Sequence, residues 1–67
     1  MNQFKLYDVV ALTHDIGGMP KGTIGTVLIV YSDGKQYEVE FVDDDKNTLQ
    51  ILTVIADEIE LRDKRTT

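Results

Sequence analysis

Apolar and polar positions alternate along this chain in short runs, and turn-forming residues separate the runs at intervals of about ten residues, the spacing of a small all-β barrel or sandwich. Residues 6–12 open the pattern with a run rich in β-formers. Residues 13–22 contain Gly17, Gly18 and Pro20 and predict a long first loop. A second strand follows over 25–31. It closes at 32–35, where Asp33-Gly34 offers the positive-φ turn of a hairpin. Residues 36–41 then alternate with period two. That places Tyr37, Val39 and Phe41 toward a core and Gln36, Glu38 and Glu40 toward water.

A second polar turn spans 43–47, and a fourth strand runs over 48–54. Its alternation slips between Ile51 and Leu52, as at a bulge or a bend between sheets. Residues 55–58 have room for one helical turn, and Ile59-Glu60-Leu61 reads as a fifth strand with Ile59 and Leu61 inward. No 3.6-residue period persists over three turns. The predicted fold class is all-β: a single small SH3-like five-stranded barrel with a long first loop and at most one short helical turn before the last strand. It forms one domain over 1–67, with an ordered core over about 6–62 and frayed ends. Closure into a barrel would hide strand edges that otherwise aggregate.

Composition narrows the picture. A chain of 67 residues buries only about 60% of the surface its unfolded state exposes, so the core is thin. Zero Cys excludes a disulfide scaffold and a thiolate site. Twelve acidic residues against seven basic give a net charge of −5, which disfavours phosphate-backbone binding. The absence of a long apolar stretch or an apolar leader after Met1 predicts a cytoplasmic protein that does not bind membranes.

The blocks Asp8-Val9-Val10-Ala11-Leu12-Thr13, Gly22-Thr23-Ile24-Gly25-Thr26-Val27, Tyr37-Glu38-Val39-Glu40-Phe41-Val42-Asp43 and Thr53-Val54 resemble a bacterial family, domain of unknown function 4926. The resemblance covers the chain from about Tyr7 to Leu61, and the Tyr-Glu-Val-Glu-Phe block is its more specific part. It implies a stand-alone SH3-like barrel, encoded in some members beside another small protein, and hence a protein partner from an adjacent gene. It supplies no functional residues.

Each candidate chemistry meets a structural alternative. Asp43, Asp45 and Asn47 have the spacing that opens a calcium loop, but its sixth and twelfth positions hold Thr48 and Val54 instead of Gly and Glu. No metal site is expected. His14 and Ser32 fall on different loops, so no catalytic residue is expected, and no cofactor. The glycines lack the Gly-Lys-Ser/Thr ending of a phosphate loop, and Gly25 suits a sharp strand bend. Among the aromatics, Tyr37 and Phe41 have core parity and Tyr31 shares a face with Val27 and Ile29. Phe4 and Tyr7 are left as surface aromatics.

Two features point outward. Residues 27–31 are apolar on both faces, so Leu28 and Val30 sit under the long loop, or on a second sheet where the strand bends, or else form an exposed partner surface. From Asp33 to Glu60, nine carboxylates stand against Lys35 and Lys46, a balance of −7. The predicted partner-binding residues are therefore Glu38, Glu40, Asp43, Asp44, Leu28 and Val30. The expected function is a non-catalytic protein-interaction module presenting an acidic β-face to a basic protein, in the manner of an antitoxin or immunity protein, from a monomer or weak homodimer. A nucleic-acid or ribosome-associated barrel like the KOW modules is the alternative, resting on the Gly-Thr-Ile-Gly-Thr-Val block.

Overall fold

The computed structural model describes residues 3–63. Five antiparallel strands, β1 (Val9–Leu12), β2 (Ile24–Val30), β3 (Gln36–Val42), β4 (Thr48–Ile55) and β5 (Ile59–Asp63), form one sheet in the order β4-β3-β2-β1-β5. A 3-10 turn over Ala56–Glu58 joins the last two strands. The all-β class and the helical turn agree with the sequence reading.

Closure does not. The ladder ends at β4 on one side and β5 on the other, so the sheet is not a closed barrel and keeps two edges. Side chains from outside the sheet help fill its inner face. Phe4 and Met19 are buried among Leu12, Val27, Tyr37, Val39, Phe41, Val54 and Ile59, and Ile16 packs against them.

Two of these outside contributors overturn expectations. Phe4 is a core residue instead of a surface aromatic: its ring meets Tyr37 edge-on with centroids 5.3 Å apart. The Tyr37 hydroxyl fixes the segment in place by accepting the N–H groups of Gln3 and Phe4 while donating to the Gly34 carbonyl. The start of the chain is thus anchored from Gln3 onward, and a turn at Lys5–Asp8 delays β1 to Val9.

The long first loop is also folded. Gly17 and Gly18 both take positive φ, and Ile16 and Met19 exchange backbone hydrogen bonds across them, a two-residue reverse turn of the primed kind. Asp15 braces the same loop by accepting the Lys21 N–H. Gln50 ties it to β4 by donating to the Gly17 carbonyl. Phe4 and this turn therefore cover opposite ends of β3, at Tyr37 and near Phe41.

Inside the sheet, β3 keeps the alternation read from the sequence: Tyr37, Val39 and Phe41 are fully buried and pair with Val54, Leu52 and Gln50 of β4. Gly25 faces Phe41 on one side and Val10 on the other. A Cβ there would lie 2.6 Å from Val39 Cγ1 and 2.8 Å from Phe41 Cδ1, so only glycine lets β2 lie this close to the β3 side chains. On β5, Ile59 is inward as expected, whereas Leu61 is exposed although it pairs with Val10. It lies on the outermost strand, with no further strand beyond it.

Gly25→Ala should destabilise the domain by about 1–3 kcal/mol through overpacking, lowering the melting temperature by about 4–8 °C per kcal/mol. Thermal unfolding followed by circular dichroism checks this. An unchanged midpoint would show that Val39 and Phe41 can move aside.

Candidate functional site

The outer face of β2, β3 and β4 is where the exposed apolar and acidic residues meet. Its composition follows from an irregularity in β2. Val27 pairs with Val39, but Ile29 pairs with Glu38 and Val30 with Tyr37, so Leu28 is an extra residue against β3. A bulge of this kind inverts the parity of everything after it. Val30 turns inward and packs against the core, while Ile29 and Tyr31 turn to the solvent face. Of the alternatives open for Leu28 and Val30, the structure gives partial burial: both are half-buried. The expectation that Tyr31 and Ile29 face the core with Val27 is corrected, since Ile29 is 47% and Tyr31 38% exposed.

A second shift lies at the start of β4. Phe41 pairs with Gln50 but Val42 with Thr48, so the extra residue is Leu49 and the strand alternates cleanly from Gln50 onward. The slip expected between Ile51 and Leu52 is absent. Ile51 stands opposite Glu40, Thr53 opposite Glu38 and Ile55 opposite Gln36, all on the solvent face. Ile51 is 50% and Ile55 49% exposed.

Glu38 thus lies between Ile29 of β2 and Thr53 of β4, and Glu40 between Thr26 and Ile51, with Tyr31 and Ile55 one row beyond Glu38 on either flank. The neighbours of the two carboxylates are hydroxyls. One oxygen of Glu38, Oε1, accepts the Thr53 hydroxyl at 2.6 Å and the Tyr31 hydroxyl at 3.3 Å. Glu40 accepts the hydroxyl of Thr48. These bonds orient both carboxylates and leave their charge uncompensated. Two residues of strand rise separate them by about 7 Å.

Of the other predicted binding residues, Asp43 is committed to its own turn. It accepts the N–H groups of Asp45 and Asn47, each at 2.9 Å, while Lys46 takes positive φ. Asp44 is exposed and lines a shallow hollow of about 350 Å³ with Lys21, Ile24, Val42 and Leu49 at the end of the face. His14 is exposed on the first loop. Thr13 donates its one hydroxyl proton to the Asp57 carbonyl, so His14 Nδ1 is the donor in the contact at 2.9 Å between the two side chains. The neighbouring Asp15 accepts the Lys21 N–H and makes no contact with the imidazole among the hydrogen bonds of this loop. Among the described residues there is no group of three or more His, Asp or Glu placed to hold a metal ion, and no helix long and apolar enough to cross a membrane.

Compared with known families, residues 6–61 match the one described as Domain of unknown function (DUF4926). The chain belongs to this family. No curated protein and no solved structure matches it. In this DUF4926 chain the more specific block of the resemblance, Tyr37 to Phe41, lies on the strand bearing Glu38 and Glu40 on one side and the core residues Tyr37, Val39 and Phe41 on the other.

The hairpin that brings Tyr31 over Glu38 turns on Asp33. Its carboxylate accepts the N–H of Lys35 at 2.8 Å and both the backbone and side-chain N–H of Gln36, and Gly34 takes the positive φ that the Asp-Gly pair predicts. The Lys35 N–H foremost, and then Gln36, hold the Asp33 pKa below the ordinary aspartate value. Because the folded pKa is lowered, the bonds are fully present above about pH 3.9 and are lost as pH falls through the lower folded value. An NMR titration should find the Asp33 midpoint below 3.9, with the Lys35 and Gln36 amide shifts following it. A midpoint at or above that value would contradict the assigned turn.

Proposed function

We propose that this protein is a cytoplasmic bacterial protein-interaction module that binds a basic protein partner through the outer face of β2, β3 and β4, without catalysis of its own. One observation carries the reading: Glu38 and Glu40 are held by hydroxyls in the middle of a face whose flanks, Ile29 and Tyr31 against Ile51 and Ile55, are exposed and apolar. Aliphatic and aromatic side chains supply buried area, and the carboxylates select and steer a cationic complement. The partner this face suits is a protein whose own apolar patch carries Lys or Arg at its centre. An enzyme masked at a basic site, as an antitoxin or immunity protein masks one, has that chemistry.

The acidic face counts against the KOW-like nucleic-acid reading, because a phosphate backbone approaching it meets like charge.

The test takes the product of the adjacent gene as the first candidate partner, purified and titrated against the chain. The Glu38→Lys/Glu40→Lys variant should weaken binding at least about tenfold, and the wild-type affinity should fall as salt rises from about 50 to 300 mM. Both side chains point away from the core, so the variant should keep the wild-type circular dichroism spectrum. Binding that survives the double reversal would remove the face from the interaction. Retention of RNA at low salt by the wild type would favour the nucleic-acid reading instead.

A further inference from the structure

The sheet's two edges are treated differently by the sequence. Three of the five residues of β5 are charged, Glu60, Arg62 and Asp63, the usual protection of an exposed edge. β4, Thr48–Ile55, has no charged residue and no proline, and five of its eight residues are β-branched. Its bulge at Leu49 disturbs only its first turn of pairing.

The unpaired backbone groups of β4 can be identified. Tyr31 N–H donates to Gln36 O, and Val27 directs its N–H and C=O toward Asp8 and Tyr7 instead of β3. Antiparallel alternation then points Tyr37, Val39 and Phe41 of β3 at β4, where they meet Val54, Leu52 and Gln50. Ile51, Thr53 and Ile55 consequently aim their backbone groups at the open edge. The Ile55 N–H is taken by the Glu58 carboxylate. Those of Ile51 and Thr53 have no partner among the described residues.

We propose that the chain self-associates through this edge, β4 pairing antiparallel with β4 of a second copy about a two-fold axis at Leu52. That register sets Ile51 against Thr53 of the other copy and Thr53 against its Ile51, so both free residues of both copies are satisfied at once. Registers centred on Ile51 or Thr53 match only one of them. On the solvent face it also brings Leu49 of each copy toward Ile55 of the other. A second copy suits this edge better than a basic strand, because β4 offers a cation no carboxylate. Self-repulsion is small where the copies meet. The Glu38 and Glu40 rows of the two copies stand three strand spacings apart, about 14 Å, beyond a Debye length of about 8 Å. The joint is short, so the dimer is weak, and it unites the two acidic faces in one surface.

The purified chain alone tests this, independently of any partner protein. Sedimentation between about 10 µM and 1 mM should show a mass rising from 7.6 kDa toward twice that value. The Ile51 and Thr53 amides should gain hydrogen-exchange protection over the same range. Ile51→Lys, at an exposed position outside the core, should raise the dimer dissociation constant at least about tenfold with an unchanged melting temperature. Leu61→Lys, on the other edge, should leave it unchanged. A monomeric mass at 1 mM, a dimer indifferent to Ile51→Lys, or sensitivity to Leu61→Lys alone would overturn the proposal.

Discussion

The close approach of β2 to the β3 side chains at Gly25 is the constraint on which the rest of this structure depends. Gly25 stands between Val10 and Phe41, and its missing side chain is the space into which Val39 and Phe41 project. With only 67 residues the interior is small, and it must be filled without voids. The first loop meets the inner face of β4, where the Gly17-Gly18 turn reaches Gln50 and Leu52, and Phe4 meets Tyr37. The core is thus completed by segments from outside the sheet, and no ladder between β4 and β5 is required. At the Phe4 end the Tyr37 hydroxyl holds the arrangement, since the Gln3, Phe4 and Gly34 backbone converges on it.

Much of the fold was legible because period-two alternation is a local signal. Residues 36–41 contain it without interruption, and there the inward and outward sets follow directly from the sequence. The turns were legible for a similar reason, since Asp33-Gly34 and the carboxylate-rich turn after Val42 satisfy their own backbone groups. Bulges are different. One extra residue at Leu28 reverses the parity of Ile29, Val30 and Tyr31, and an unbroken apolar run contains no polar position by which the reversal could be seen. Leu49 has the same effect at the start of β4, and the false slip read at Ile51-Leu52 was two apolar neighbours pointing to opposite faces. Phe4 was missed because its burial depends on a hydroxyl 33 residues away.

The candidate site divides along the same line. Glu38 and Glu40 were singled out by the charge balance of their half of the chain and placed on the outer face by alternation, which is reliable there because the strand is uninterrupted. The sequence left Leu28 and Val30 open between burial and exposure and did not single out Ile29, Tyr31, Ile51 and Ile55, because these flanks come from strands containing bulges. The signal for Asp43 was the charge run itself, and charge does not distinguish a carboxylate free for a partner from one that caps its own loop.

The energetics of the face explain why it would be selective. Fully burying an exposed isoleucine contributes about 1.5–3 kcal/mol, and Ile29, Ile51 and Ile55 are each about half exposed, so an apolar partner gains roughly half of that at each, with the Tyr31 ring beside them. Covering them also takes Glu38 and Glu40 out of water, and an ion removed from water without a counter-charge costs several kcal/mol. The hydroxyls of Tyr31, Thr48 and Thr53 supply hydrogen bonds but no positive charge, so they offset that cost only in part. A purely apolar partner therefore loses at the centre much of what it gains at the flanks. A partner that places a cation between the two carboxylates keeps both contributions, and the discrimination lies in that difference.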